Sequence, residues 1–242
     1  MQIFPGIKAI GKALWLEKQK VLIVADFHLG YEEYLNSQGI FVPRSQFMET
    51  CSEIKTLLEK LRPKIIVIAG DLKHEFGEIS AQEWKETLAL LDLMKKYCKK
   101  IVLVRGNHDT ILGPIAEKRD LSVKDLFCFD SICVIHGHKV SLNKVMFDKA
   151  AHDAKILIIG HIHPAISLKE ESKVELYKCF LAGKLKNKQL IIMPSFLPFI
   201  EGMDIREKIL DPLSHLDISN FDCFVIGKNK IYKFGKLKEI ID

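Results

Sequence analysis

Five short apolar runs in this chain end in aspartate, asparagine or histidine, residue types that bind metal ions. In chain order the endings are Asp26-Phe27-His28, Gly70-Asp71, Gly106-Asn107-His108-Asp109, His136-Gly137-His138 and Gly160-His161-Ile162-His163. Carboxylate and amide oxygens combined with imidazole nitrogens suit Mn²⁺, Fe or Zn²⁺ better than Ca²⁺, which takes oxygen ligands only. A donor set of this size favours two ions over one. Two ions about 3.5–4 Å apart can bind both the attacking and the leaving oxygen of a phosphoryl transfer.

The joint occurrence of these endings carries the argument, because each ending alone is weak evidence. A single histidine at a strand end is more often a hydrogen-bonded surface residue, and Asp-x-His or Gly-Asp alone is uninformative. Gly-Asn-His-Asp and Gly-His-x-His are more specific. All five endings occur in order, each behind an apolar run. This arrangement favours one shared site over five unrelated groups of residues.

The apolar runs before the endings predict buried β-strands, because they are short and rich in β-branched residues. They cover residues 21–25, 65–69, 101–104, 132–135 and 156–159. Polar residues that follow such strands lie on loops at the sheet edge, where open α/β folds place their sites. We therefore expect the five endings to meet in one cleft.

Two amphipathic helices are predicted between the first three of these strands. The first begins at Pro43 and runs to about Leu61, where Arg62-Pro63 ends it. The second begins near Ser80, which has capping-box spacing to Glu83. The resulting β-α-β-α-β order favours a parallel sheet with right-handed crossovers.

The remaining segments complete the predicted fold. An N-terminal hairpin is expected, in which residues 13–16 turn at 18–20 into the first ligand-bearing strand. After residue 150 helices are scarce, and strands are predicted at 165–169, 174–181, 189–193, 223–226 and 231–234, with a long irregular loop over 194–220. We expect a single domain over residues 1–242 with an α/β fold. In it, two mixed sheets pack face to face as a β-sandwich flanked by α-helices.

Composition argues against several classes of protein. The hydrophobic fraction of 48% is enough for a core, which argues against disorder. No run of about 18 apolar residues is present, and the N-terminus lacks the pattern of a signal peptide, so we expect a cytoplasmic protein without membrane association. The six cysteines are scattered without a C-x-x-C pair. This spacing argues against a zinc ribbon or redox pair and favours buried thiols in a reducing cytosol.

Charge does not identify a partner. The net charge of +5 is mild, and a lysine-rich surface usually serves only solvation. Lysines are denser after Lys139, but aromatic residues are not interleaved with them. A stacking platform for nucleobases is therefore not visible in the sequence.

The ordered endings resemble the signature of calcineurin-like metallophosphoesterases, from residue 21 to about residue 165. The resemblance implies that family's fold, a two-sheet β-sandwich flanked by helices, and a dinuclear metal centre bridged by Asp71. One metal would be held by Asp26, His28, Asp71 and His163. The other would be held by Asp71, Asn107, His136 and His161. His108 would contact the scissile phosphate and help the leaving group depart, and Asp109 would orient it through the other ring nitrogen.

A narrower resemblance points to the ICC-like branch of this family. It is carried by the segments 25–30, 38–40, 42–43 and 160–164. Bacterial members of that branch include a nuclease associated with a DNA ligase and a helicase. The resemblance implies hydrolysis of phosphodiesters, in DNA or RNA, by a two-metal mechanism with a metal-bound hydroxide as nucleophile. It also implies partners among DNA-repair or helicase proteins.

The expected cofactors are two divalent ions, with Mn²⁺ preferred over Fe, Zn²⁺ or Ni²⁺. One alternative function is a small-molecule phosphodiesterase or nucleotide phosphatase. An alternative of another class is a catalytically silent scaffold with the same fold. The scaffold is disfavoured, because every ligand position is filled and His108 is present.

Some residues keep two interpretations. His74 stands where many family members have the second aspartate of Gly-Asp-x-x-Asp, and it lies either at the cleft rim or on a solvated loop. His138 is expected to support His136 rather than replace it. Arg44 and Arg105 are both candidates for contact with phosphate, and Arg105 alternatively pairs with a carboxylate. The segment 30–42 is a candidate lid or cleft wall, and the segment 194–199 is either a second wall or an ordinary apolar loop.

Overall fold

Two mixed β-sheets and six helices make up the described part of this computed structural model, which comprises residues 1–75, 79–138, 149–170, 173–206 and 217–241. The first sheet is built, in spatial order, from β1 (Gln2–Phe4), β2 (Ile7–Ile10), β3 (Ala13–Leu16), β4 (Val21–Val24), β5 (Ile65–Ala69), β6 (Lys100–Val104) and β7 (Ser122–Lys124). Strands β1 to β4 are antiparallel neighbours, whereas β4 to β7 are parallel. The predicted parallel β-α-β-α-β unit is therefore present, and the N-terminal hairpin is a longer meander.

Helices cover the outer face of this sheet. In chain order, β4 is followed by the short helix α1 (Tyr31–Ser37) and then by the three covering helices, α2 (Gln46–Leu61), α3 (Ala81–Tyr97) and α4 (Leu112–Lys118). Helix α2 begins after Ser45 rather than at Pro43, and α3 begins after Ser80 as predicted. The segment 30–42, predicted as a lid or wall, contains α1.

The second sheet carries the other two site-bearing strands. Its strands are β8 (Leu126–Phe129), β9 (Ile132–Ile135), β10 (Ile156–Ile159), β11 (Pro164–Glu170), β12 (Lys173–Leu185), β13 (Lys188–Ile192), β14 (Met203–Asp204), β15 (Asp222–Ile226) and β16 (Ile231–Lys236). The order is β14-β11-β12-β13-β10-β9-β8, and β15 joins β12 to β16. Strands β9, β10 and β13 are parallel, so β9 and β10 end at the same sheet edge. Two short helices accompany this sheet, α5 (Lys149–Asp153) and α6 (Leu237–Ile241).

Alternation along the strands divides the apolar residues into three layers. In β4, Leu22 and Val24 pack with the helices, while Ile23 packs with residues of the second sheet such as Phe180 and Ile191. A third cluster covers the outer face of the second sheet and includes residues of α5 and α6. Because successive strand side chains point to opposite faces, strands with both faces covered become continuous apolar runs. The predicted two-sheet β-sandwich flanked by helices is confirmed.

Two details differ from the sequence predictions. Cys128 and Cys133 are joined by a disulfide, whereas all cysteines were expected to be thiols. They face each other across the β8–β9 hairpin, with Cα atoms 4.1 Å apart, and a search for C-x-x-C cannot detect this cross-strand pair. The predicted loop over 194–220 contains β14, and its residues 207–216 lie outside the described part. Within the described part, no helix is both long and apolar enough to span a bilayer.

Candidate metal centre

The structure brings the ends of five strands together. Three of these strands belong to the first sheet and two belong to the second. Asp26 and His28 follow β4, Asp71 follows β5, and Asn107 follows β6, while the remaining histidines follow β9 and β10. Three groups of donors result, each with donor atoms within 4.8 Å of one another, and the third of them consists of His28, His74 and His108. The first group is Asp26, His28 and His163, and the second is Asp71, His136 and His161.

The first group is compact and mostly buried. The Nε2 atoms of His28 and His163 are 3.4 Å apart, and Nε2 of His163 is 3.5 Å from Oδ2 of Asp26. Asp26 is fully buried and His28 is nearly so. Three donors thus face a common point between the two sheets.

The second group lies next to the first, and its Asp71 also approaches a histidine of the first group. Nε2 of His136 is 3.2 Å from Oδ2 of Asp71, 2.9 Å from Oδ1 of Asn107 and 3.2 Å from Nδ1 of His161. The same Oδ2 of Asp71 is 3.8 Å from Nε2 of His28 in the first group. One carboxylate oxygen therefore faces nitrogen atoms of both groups.

The donor arrangement fits divalent cations. Nδ1 of His136 donates to the carbonyl oxygen of Ala69, so in the neutral ring Nε2 is an acceptor, and it faces two further acceptors, Oδ2 of Asp71 and Oδ1 of Asn107. Oδ1 of Asp26 is buried, and among the described residues it accepts no hydrogen bond. Oδ2 of Asp26 accepts the N–H of His161 at 3.0 Å, but a buried carboxylate oxygen without a hydrogen bond is costly unless a cation compensates it. Carboxylate, amide and imidazole donors together match Mn²⁺, Fe and Zn²⁺.

The backbone is left-handed at five of these positions. The φ angles are 56° at Asp26, 45° at His28, 44° at Asp71, 66° at His161 and 48° at His163. Positive φ costs about 1–3 kcal/mol for a residue other than glycine and is common at functional sites. The loops turn sharply at these residues, which lets side chains two positions apart face the same centre.

Glycines allow the donor groups to approach the neighbouring loops. A Cβ added at Gly70 would lie 2.1 Å from Nδ1 of His136, and one at Gly106 would lie 2.0 Å from Oδ1 of Asp71. A Cβ at Gly160 would lie 2.5 Å from Oδ2 of Asp26. The glycine in front of each of these motifs is therefore required for space inside the centre.

His136 and Asp71 form the most strongly polarised pair. Burial opposes a charge on His136, but Asp71 and Asp26 outweigh burial and raise the pKa of His136 to about 9. Burial likewise opposes a charge on Asp71, yet His136, His28 and His108 hold its pKa below the ordinary value. Nδ1 of His136 lies 3.1 Å from the carbonyl oxygen of Ala69, to which it donates, so Nε2 faces the donor group.

In His28 and His161 the surroundings lower the pKa and so favour the neutral ring. Burial, followed by the proximity of His163, lowers the pKa of His28 well below its ordinary value. Burial and then His136 lower the pKa of His161. Neutral imidazole is the form that binds metal ions, so both rings are prepared for that role.

His108 lies at the edge of the donor groups, but Asp109 does not orient it. Nε2 of His108 is 4.0 Å from Oδ2 of Asp71, and its Nδ1 faces the carbonyl oxygen of His74 in a short hydrogen bond. The carboxylate of Asp109 instead accepts backbone N–H groups of Gly106, at 2.9 Å, and Leu72, at 3.1 Å, with Lys73 further away at 3.5 Å. The prediction that Asp109 positions the His108 ring is therefore wrong. Asp109 holds the Asp71 and Asn107 loops together, because short buried loops leave N–H groups without strand partners.

The structure gives positions for the two histidines and two arginines whose roles the sequence left open. His74 lies at the cleft rim, with Nδ1 3.4 Å from Nδ1 of His28 and a pKa that burial and His108 lower to about 4. The His138 ring contacts the rings of His136 and His161, in agreement with a supporting role. Nε of Arg105 lies 3.3 Å from Asp125, so this arginine contacts a carboxylate. Arg44 is exposed.

Three buried polar residues that support the centre were not identified from the sequence. Nε2 of Gln46 donates to the carbonyl oxygens of Phe27 and His28, at 3.1 and 2.9 Å. The backbone N–H of Gln46 donates to Glu32 at 2.6 Å, and Glu83 accepts the N–H of His74 at 2.7 Å. Of these features, only the capping spacing of Glu83 was visible in the sequence.

The segment 194–199 packs as an ordinary apolar loop. Phe196 is fully buried, and its ring centroid lies 4.9 Å from that of Phe27. The N–H of Phe196 donates to the carbonyl oxygen of Ala25 at 2.8 Å. This loop thus supports the Asp26 turn from behind rather than forming a wall of the cleft.

Comparison with known proteins agrees with this geometry. The calcineurin-like phosphoesterase family model matches residues 19–165. The structure is similar to nuclease MPE from Pseudomonas putida, with a TM-score of 0.65, 19% identity and coverage of 92% of each chain. Similarity to Yfce, a phosphoesterase from E. coli, has a TM-score of 0.43 at 14% identity, covering 87% of this chain and 90% of that one. Similarity to a novel archaeal phosphodiesterase has a TM-score of 0.44 at 10% identity, covering 89% of this chain and 98% of that one.

No curated protein sequence matches the chain significantly. The family match nevertheless spans more than half of the chain, and it covers all five strand ends that form the donor groups. The chain therefore belongs to the calcineurin-like phosphoesterases, hydrolases that act on phosphoric ester bonds.

Proposed function

We propose that this protein is a two-metal phosphodiesterase that cleaves nucleic acid. The observation that carries the proposal is the position of Oδ2 of Asp71, 3.2 Å from Nε2 of His136 and 3.8 Å from Nε2 of His28. A carboxylate oxygen between two groups of nitrogen donors is where a bridging ligand belongs. A site for a single ion would not require the second group of donors.

The proposed ligands divide between two ions. Asp26, His28, Asp71 and His163 hold one ion, and Asp71, Asn107, His136 and His161 hold the other. When bound, the ions neutralise phosphoryl oxygens and lower the pKa of water toward neutrality. Mn²⁺ is the preferred identity, with Fe, Zn²⁺ and Ni²⁺ as alternatives, because the donor set mixes oxygen with imidazole nitrogen.

His108 is the proposed proton donor to the leaving oxygen. Its Nε2 faces the space beside Asp71, and the hydrogen bond from Nδ1 to the carbonyl oxygen of His74 fixes the ring orientation. His108 is only partly exposed, so the bound substrate would cover it.

Nucleic acid is the proposed substrate class for two reasons. The structure resembles a nuclease over 92% of both chains, and the narrower sequence resemblance points to a nuclease branch. The net charge of +5 does not oppose a polyanion. Association with DNA-repair or helicase proteins is a further proposal that rests on the sequence resemblance alone.

The test is a substrate screen on Mn²⁺-loaded protein. Single-stranded and duplex DNA, RNA, a nitrophenyl diester, cyclic nucleotides and nucleoside monophosphates are compared, with chelator-treated protein as control. We expect cleavage of an oligonucleotide that needs metal and weakens as salt rises, because phosphate contacts release counterions. Turnover of cyclic nucleotides or monoesters without any nuclease activity would instead establish a small-molecule enzyme. No turnover of any ester by the metal-loaded protein would leave only the silent scaffold.

A further inference from the structure

Three aromatic rings form a ledge beside the donor groups, on the side of His108. We call Tyr31, Tyr34 and His74 the aromatic ledge. The His74 ring centroid is 4.7 Å from that of Tyr31 and 4.9 Å from that of Tyr34, and the two tyrosine rings stack at 6.3 Å. The His74 ring also stacks on His108, with centroids 5.2 Å apart and planes inclined by 26°. Aromatic surface therefore continues from the proposed proton donor outward to Tyr34, which is 37% exposed.

The ledge is fixed by the same loops that carry the metal donors. Helix α1 starts directly after the Asp26–His28 turn, and the N–H of Tyr31 donates to the carbonyl oxygen of His28 at 3.2 Å. On the other side, Glu83 accepts the N–H groups of His74 and Glu75, at 2.7 and 3.0 Å. Because hydrogen bonds fix both the start of α1 and the His74 loop, the three rings are held beside the donor groups in the absence of a ligand.

Packing of α1 alone does not account for the ledge. Tyr34 retains an exposed ring at the cleft rim, and among the described residues neither the Tyr31 nor the Tyr34 hydroxyl forms a hydrogen bond. The acidic neighbours on α1 are already bound elsewhere. Glu32 accepts the N–H of Gln46, and Glu33 accepts the hydroxyl of Ser80. The surface offered next to the centre is thus formed by aromatic rings, and a ring face suits the face of a base rather than a phosphate.

We propose that the aromatic ledge stacks the nucleobase adjacent to the scissile phosphate, so that the substrate is single-stranded or unpaired nucleic acid. This inference rests on the proposed function. Both faces of a base inside a duplex are covered by its neighbours, whereas an unpaired base can turn out and stack on protein rings. Stacking of this kind tolerates any base, so the ledge confers a preference for strand state without a preference for sequence.

The test compares two single-stranded substrates of equal length and charge, oligothymidylate and an oligomer of tetrahydrofuran abasic residues. With Mn²⁺-loaded protein, we expect kcat/KM to favour the base-containing oligomer by about 5- to 140-fold, the range for one stacked base. Tyr34→Ala should abolish this preference while hydrolysis of the abasic oligomer continues. Tyr34→Phe should retain it, because the ring face is kept. Tyr232→Ala, at a 45% exposed tyrosine of β16 in the second sheet, is the matched control and should change nothing.

Each other outcome contradicts the ledge in a distinguishable way. Equal cleavage of both oligomers by the unchanged protein would refute base stacking and leave the nuclease function standing. Loss of the preference in Tyr34→Phe as well as in Tyr34→Ala would show that the hydroxyl, not the ring, binds the substrate. Cleavage of duplex as efficiently as of single strands would also refute the inference. Failure to cleave any oligomer would refute the proposed nucleic-acid function together with it.

Discussion

Replacing Asp109 with alanine is expected to destabilise the fold far more than loss of a surface aspartate. Asp109 is fully buried and accepts N–H groups of Gly106, Leu72 and, at longer range, Lys73. Each buried donor left without a partner costs about 1–3 kcal/mol. Two well-formed bonds and one long one therefore predict a loss of about 3–6 kcal/mol. Asp109→Asn retains one acceptor oxygen but presents an NH₂ group to the remaining donors, so we expect about half of that loss.

The assay is urea unfolding of chelator-treated protein, which removes metal binding from the comparison. Asp125→Ala is the matched control, because the Asp125 side chain is 87% exposed and its pair with Arg105 is a surface ion pair worth about 1 kcal/mol or less. The expected order of stability is unchanged protein and Asp125→Ala first, then Asp109→Asn, then Asp109→Ala. If Asp109→Ala were as stable as Asp125→Ala, the assignment of Asp109 to the loop N–H groups would be wrong.

The remaining predictions concern metal, catalysis and pH. Mn²⁺-loaded protein should contain close to two equivalents of metal by elemental analysis, and Asp71→Asn should lose part of both; a stoichiometry of one at saturating metal would contradict a bridged pair. His108→Ala should keep its metal and lose turnover by about 10²–10⁴-fold, with a smaller loss for a nitrophenolate leaving group, which needs no proton. His161→Ala should lose metal and activity together. If His108→Ala lost as much metal as His161→Ala, His108 could not be assigned as the proton donor. Burial, followed by the proximity of Lys12, lowers the pKa of Lys178 to about 7 from an ordinary 10.5. The unfolded chain then binds one more proton between these pH values. Stability should therefore rise with pH across this window by up to about 1.4 kcal/mol per unit, and urea unfolding of Lys178→Met should show a flatter rise.

The donor positions were predictable because their signal is local. An apolar run and the polar residues directly behind it specify a strand and its loop, and parallel order then brings the loops to one edge. The bridge between the groups follows from this order, since Asp71 lies at the end of β5, between β4 and β6.

Contacts between distant segments were not predictable from the sequence. The capping rule correctly gives the bond from the N–H of Glu83 to Ser80, at 3.0 Å. It does not predict that the Glu83 carboxylate binds the N–H of His74 instead of the helix start. The role of Asp109 was carried over from the family resemblance, and its contacts with the N–H groups of Leu72 and Gly106 depend on how the two loops meet in space. The aromatic ledge likewise depends on α1 and the Asp71 loop meeting in space.

The left-handed backbone at Asp26, His28, Asp71, His161 and His163 has an evolutionary consequence. Glycine removes the steric cost of positive φ, so at any of these positions it would relax the metal-free chain by about 1 kcal/mol or more while deleting a donor group. Substitutions that destroy the centre are therefore favoured by folding whenever selection for hydrolysis is relaxed. A lineage that kept this fold only as a binding surface would drift toward glycine at these five turns.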